Sequence, residues 1–452
     1  MQKASPGWKV LVAIFSLLLT ILVWQQGLQE SFDRPSVSPK LALNQKEIAV
    51  LASPSLPKTF RPLFVGIDPS LELKNTLQEF DVTQLKERER LLLFAIEGPN
   101  TKDRSLLEVD FQDENLDLVK NKILESLDQK RDPLLLVDEI KFIKSDPLLY
   151  QLSCLSVGAP SDICIDSMIS QRMAIRLFVS QVLPLLATLL GIALVLWEFI
   201  RFIGRKNHVW PAISSLPLSL VDMILLIAGG FVVLGELMSP FIAIPLSDFI
   251  TQGIVSPTKE SFKVFVGYSV MTLPPLLILW QQIKAISKLE APLDGVMQWG
   301  LNLIPKSIFQ AFKSWFMVLP FVLLASWLTT FFFGDPGGSN PLLEMVLSNK
   351  SFWSLSILFV TTVFMAPVFE EFVFRGVFLP VLVNQKGKIF AVIVSALVFA
   401  LAHLSVGETP PLFVLGVGLA LLRLSSGRLL PCMIMHSLWN GVTFANLLLL
   451  SS

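Results

Sequence analysis

Glu370 and Glu371 stand side by side in one of the most apolar stretches of the chain, Phe364-Met-Ala-Pro-Val-Phe-Glu370-Glu371-Phe-Val-Phe-Arg375-Gly-Val-Phe. An ionised carboxylate near the centre of a bilayer costs on the order of 3 kcal/mol. Two in succession, with an arginine one helical turn on, demand a partner, a proton or a water-filled cavity. Further polar anchors follow in later apolar segments, at Phe399-Ala-Leu-Ala-His403 and at His436-Ser-Leu-Trp-Asn440. Of the three histidines in the chain, two occupy those segments. Acid–base groups gathered inside a membrane read as an active site.

The spacing says what each group could do. Glu371 and Arg375 lie i, i+4 on one helix face and can pair. Glu370 is turned by about 100° from Glu371 and points elsewhere, into the bundle. The expected division of labour has Glu371 and Arg375 bracing each other while Glu370 acts on water. An apolar cavity disfavours the charged form of a carboxyl, which suits a general base working near neutrality. His403 would orient the same water or bind a metal. His436 and Asn440, again i, i+4, would converge on a neighbouring point where an imidazole and an amide N–H stabilise an oxyanion. Plainer roles stay open: a buried Glu–Arg pair ties helices together, and His403, His436 and Asn440 each suit interhelical hydrogen bonding. His208, in the polar loop after Arg205-Lys206, reads as solvent-exposed.

The elements that position these groups are membrane helices. The chain has 452 residues, 53% of them hydrophobic, and no net charge; its mean hydropathy is +0.64. This composition predicts an all-α, multi-pass membrane protein with one sizeable soluble insert. No long basic run or glycine-rich phosphate loop is present, so nothing supports nucleic-acid or nucleotide binding. Candidate spans fall at residues 176–200, 217–239, 262–283, 312–333, 352–384, 388–405, 411–424 and 429–450. With an N-terminal anchor these make about nine helices of roughly 20 residues each. The stretch 352–384 is long for one straight span, and Pro380 predicts a kink or a surface continuation.

Composition divides the chain into an N-terminal anchor at 1–29, a Ser/Pro-rich linker at 30–58 and a soluble insert at 59–170. Membrane helices at 171–340 precede a core at 341–452. The run Val10 to Trp24 is followed by no clear small-x-small site, so an uncleaved anchor is expected, with a cleaved signal as the alternative. The insert is expected to be mainly helical, with short strands such as Pro133-Leu-Leu-Leu-Val. Cys154 and Cys164 close it, as a disulfide or as two thiols.

Lys3 and Lys9, Arg201, Arg205 and Lys206, Lys284, Lys288, Lys306 and Lys313, Lys386 and Lys388, and Arg423 and Arg428 alternate onto one side. By the positive-inside rule that side is the cytoplasm, which puts the N-terminus inside and residues 30–170 outside the cytoplasm of a plasma or inner membrane. Lys259 and Lys263 run against the pattern. Counted from the cytoplasmic ends, Glu370 and His403 each lie ~22 Å along their helices. The short span 411–424 would leave the next turn inside the membrane and lift His436 to meet them.

Taken in order, Glu370-Glu371-x-x-x-Arg375, Phe399-x-x-x-His403 and His436-x-x-x-Asn440 resemble the motifs of the CPBP (CAAX protease and bacteriocin-processing) or ABI family, the CAAX prenyl protease 2-like intramembrane proteases. Phe413-Val-Leu-Gly416-Val-Gly418-Leu-Ala, ending Ser-Ser-Gly427-Arg, is similar to the family's glycine-bearing helix before the last histidine. The resemblance covers about residues 350–450. It implies hydrolysis of a peptide bond in a membrane-embedded or lipid-modified protein by a glutamate-activated water. Glu370 would be the general base, His403 its water-orienting partner, His436 and Asn440 the oxyanion site, and Glu371 and Arg375 the support. The family has been described both as metallo and as metal-independent glutamate proteases. Glu370, His403 and His436 are a sufficient set for Zn2+, but the chain has no His-Glu-x-x-His motif, and the balance tips toward no obligatory metal. Two rivals differ in class: a non-proteolytic scaffold or immunity-type protein of the same fold, and a proton-coupled transporter. A transporter should show inverted repeats, whereas here the acidic and histidine residues crowd into the last four spans. Oligomeric state does not follow from these residues.

Overall fold

The computed structural model describes residues 6–34, 36–79, 85–97, 111–128, 132–204, 210–286, 295–334 and 337–451. His208 lies outside the described residues, as do Lys3, Arg205, Lys206 and Lys288. Among the described residues every regular element is helical. Two compact units form, one from Met1–Val37 with Leu185–Leu448 and one from Ser38–Pro184 with Leu449–Ser452.

The second unit contains most of the insert. Three of its helices open on the same dipeptide: Asp68-Pro69, Asp132-Pro133 and Asp146-Pro147. In each the aspartate carboxylate accepts a backbone N–H of the first turn. The proline that follows has the fixed φ and absent N–H that suit the first helical position. This corrects one expectation, for Pro133–Glu139 is a helix and not a strand. The apolar run was ambiguous by periodicity, and the cap in front of it decided the outcome. Ser38–Ala52, inside the Ser/Pro-rich stretch, is also helical. Leu73, Leu77, Leu91, Leu92 and Ile123 make the centre of the core. Arg88 reaches Glu47, with Nη1 2.7 Å from Oε1, and also meets Asp146. Burial works against the Arg88 charge, yet its hydrogen bonds to Glu47 and Asp146 hold the guanidinium above its ordinary range. Cys154 and Cys164 are bonded, their Cα atoms 5.5 Å apart.

Eight helical stretches among the described residues are long and apolar enough to cross a membrane. Two shorter apolar helices, Pro240–Ile250 and Lys388–Leu401, accompany them. Lys388–Leu401 has 14 residues, fewer than the ~20 of a full straight crossing. Within the membrane unit the first helix, Gly7–Asp33, buries a face of small residues: Ala13, Ser16, Thr20 and Ser31. Thr20 Oγ1 donates to the Ala228 carbonyl at 3.3 Å, a close approach that small side chains allow between membrane helices. The last third has four helical stretches, Phe352–Lys386, Lys388–Leu401, Thr409–Ser426 and Leu430–Leu450, with the polar motifs on the first, at the end of the second and on the fourth. Gly387 at φ 87° turns the first into the second. Gly416 lets the third approach the second: a Cβ there would sit 3.0 Å from Ala396 Cα.

Candidate active site

The helix Phe352–Lys386 is not regular, and its irregularity follows from two prolines. Wide π turns at Val360–Met365 and Phe372–Phe378 flank the ordinary turn Ala366–Glu371 that carries both glutamates. π turns are rare and gather at functional sites. In the first, the Ala366 N–H bonds the Thr361 carbonyl five residues back. The next bond in that register would run from residue 367 to the Thr362 carbonyl, but Pro367 has no N–H. Asn440 Nδ2 donates to that carbonyl instead, at 2.8 Å. The second π turn repeats the arrangement. Leu379 N–H bonds Phe374, Pro380 cannot serve the Arg375 carbonyl, and Arg423 Nε takes it at 3.2 Å.

Glu371 and Arg375 are completely buried, and His436 is 3% exposed. Arg375 Nη1 donates to Glu371 Oε1 at 2.8 Å, and its Nη2 donates to the Gly416 carbonyl at 3.1 Å. Oε1 of Glu371 also lies 2.9 Å from His436 Nδ1. A carboxylate accepting at Nδ1 selects the tautomer with the proton there and leaves Nε2 facing away. That Nε2 is 3.9 Å from Oε2 of Glu370. Glu370 is the more open acid, its side chain 14% exposed, and its Oε2 has no hydrogen-bond partner. Its other oxygen, Oε1, accepts from the Tyr268 hydroxyl at 3.2 Å.

Phe399 is the hinge of the aromatic packing. Its ring stands edge-on to His436 at 5.6 Å and to His403 at 4.9 Å, and the Arg375 guanidinium lies 4.5 Å from its centre. His403 Nδ1 is 2.9 Å from the Phe399 carbonyl, which leaves Nε2 as the ring nitrogen not engaged there. The loop after His403 is held from several sides. Arg34 donates to the Leu404 carbonyl, Val406 N–H donates to Ser31 Oγ at 2.9 Å, and Ser405 Oγ donates to the Gly338 carbonyl at 2.6 Å. Glu408 accepts the Asn340 N–H at 3.0 Å; burial pushes its carboxyl above the usual range, while Asn340, His403 and Arg34 pull the other way.

Residues 352–442, which hold all three polar motifs, match a family model described as Type II CAAX prenyl endopeptidase Rce1-like. This match supports a CPBP/CAAX protease likeness for this region. Over 212 residues the chain is 25% identical to the membrane-embedded CAAX protease MroQ of Staphylococcus aureus (strain USA300), an overlap of 45% of this chain and 80% of the relative. Residues 38–175 match a model described as a domain of unknown function (DUF8675). No solved structure matches the chain.

Within the CPBP region the structure joins Glu370, Glu371, Arg375 and His436 directly. His403 meets them through the Phe399 ring, and Asn440 is bound to Thr362. Among the described residues no three His, Cys, Asp or Glu side chains are grouped to hold a metal ion. Glu371 already occupies His436 Nδ1, and the Phe399 carbonyl occupies His403 Nδ1. Two residues escaped the sequence reading. Tyr268 reaches Glu370 from a helix outside the CPBP region, and its only signal was a phenol inside an apolar span of a chain with two tyrosines. Arg423, counted above among the cations that mark the cytoplasmic side, is fully buried, with Nη2 on the Met297 carbonyl and on Gln298 Oε1 at 3.2 and 3.1 Å. An orphaned carbonyl drew it inward.

Proposed function

We propose that this chain is an intramembrane endopeptidase that hydrolyses a peptide bond of a membrane-embedded or lipid-modified protein by a glutamate-activated water. The observation that carries the reading is Glu370 Oε2, unpartnered in an apolar setting and facing His436 Nε2 at 3.9 Å. Glu370 takes a proton from the water as its oxygen attacks the scissile carbonyl carbon, with His403 orienting that water. The negative charge moves to the carbonyl oxygen. There a protonated His436, supported by the buried Glu371 carboxylate, and the second N–H of the Asn440 amide stabilise it. When the C–N bond breaks, Glu370 passes the proton to the leaving nitrogen, giving a carboxylic acid and an amine. No step is routed through Zn2+, because the donor set does not group around one point. The names of the family model and of the relative favour the tail of a lipid-modified protein as substrate class. The lysine and arginine pattern favours a cytoplasmic N-terminus and an extracytoplasmic insert.

Protein termini in membranes expressing the wild type or Glu370→Ala at matched abundance test this reading. Termini that appear only with the wild type, and persist when a strong chelator is added, are the expected result. Identical profiles would move the assignment to a non-proteolytic scaffold; loss with chelator alone would reinstate a metal.

A further inference from the structure

We propose that Tyr268 is a positioning residue that fixes which oxygen of Glu370 works as the base, an inference that rests on the reading of Glu370 given above. Tyr268 lies on the helix Thr258–Lys284, outside the matched segment 352–442. Its hydroxyl donates to Oε1 of Glu370 at 3.2 Å. The two carboxylate oxygens are thereby made unequal: Oε1 is tethered, while Oε2 has no partner and looks toward His436 Nε2. Without that tether the Glu370 side chain is free to turn about its terminal bond, which has a broad, roughly two-fold profile.

The phenol is itself well placed. Its ring stands edge-on to Phe369, 6.2 Å away. The helix bearing it is pinned to the glutamate helix by a Ser261–Ser354 hydroxyl pair and by Thr258 and Ser351, 3.3 Å apart. Few other groups bear on Glu370. His436 faces it from the last helix, and Glu371 and Arg375 lie on its own helix, committed to each other and to His436. His403, in the turn after the helix Lys388–Leu401, stands beyond Phe399. A hydrogen bond donated to a carboxylate favours its charged, proton-accepting form. Tyr268 therefore acts on both orientation and charge of the base.

The test uses the full-length protein in lipid vesicles and a quenched fluorescent peptide spanning a cleavage site found only with the wild type. Tyr268→Phe keeps the ring and removes the donor. It should lower kcat about tenfold, as expected for a hydrogen bond to a charged group, with KM within about twofold because the interaction is made with the catalyst and not the substrate. The acid limb of the pH–rate profile should move to higher pH, since the charged base loses its donor. Wild-type kcat with an unmoved acid limb would overturn the proposal. Should Tyr268→Phe fail to fold, Tyr150→Phe leaves Tyr268 as the sole tyrosine. 3-Fluorotyrosine then strengthens one phenolic donor, and the acid limb should move to lower pH; an unmoved limb would again overturn it. Activity surviving in Glu370→Ala would instead remove the reading of the base itself, so the two failures are distinct.

Discussion

Two neighbouring glutamates have opposite surroundings because the helix turns by about 100° per residue. Oε2 of each lacks a hydrogen-bond partner, but Glu371 is wholly buried and shares Oε1 between Arg375 and His436, while Glu370 is partly open and faces His436 Nε2. Truncating the arginine strands a carboxylate in a site built around its charge. Arg375→Ala should therefore cost about 3–5 kcal/mol and lower the amount of protein in the membrane. Arg375→Lys should not restore it, since one ammonium cannot reach Glu371 and the Gly416 carbonyl as the planar fork does. Quantitative blots of membrane fractions decide this, and wild-type abundance of Arg375→Ala would show that the pair does not hold the fold.

At the scale of elements, a proline at the end of each π turn frees a carbonyl that another helix then captures. Asn440 claims Thr362 and Arg423 claims Arg375. The frame of the site is thus written into missing N–H groups on the glutamate helix. Arg423→Met should lose about 2 kcal/mol through the unsatisfied carbonyl. Pro380→Ala supplies the absent N–H, so the double variant should regain part of that loss. Thermal unfolding of the four proteins in detergent gives the coupling, and strictly additive effects would refute the link between Pro380 and Arg423. Little of this was legible beforehand. Pro380 predicted a kink or a surface continuation; the structure places it just after a wide turn in a continuous helical stretch.

For the whole molecule, the disulfide offers a handle on which side the insert faces. Cys432 is buried in the membrane unit, leaving Cys154 and Cys164 as the pair in the insert. If the insert lies outside the cytoplasm, where such bonds persist, a membrane-impermeant maleimide should label both in intact cells after mild reduction. Labelling that requires permeabilised cells would reverse the proposed orientation. The insert also shows why its secondary structure was only half readable. Asp-Pro caps are local signals and survive inspection of the chain, whereas the bridge from Arg88 to Glu47 and Asp146 joins residues 41 and 58 positions apart.

By itself the sequence determined the membrane class, the helical periodicity and the Glu371–Arg375 pair, because hydropathy and an i, i+4 spacing are properties of adjacent turns. It also carried, in order, the motifs that resemble those of the CPBP family. Tertiary structure alone decided that His436 closes on Glu371 from 65 residues away and that Tyr268 tethers Glu370 from 102 residues away. It decided too that Arg423 turns inward to a carbonyl and not outward to water. Those outcomes depend on which buried polar groups lack a partner once the helices pack. In a bilayer, where no water is at hand to satisfy them, each such group takes the nearest donor that the fold supplies.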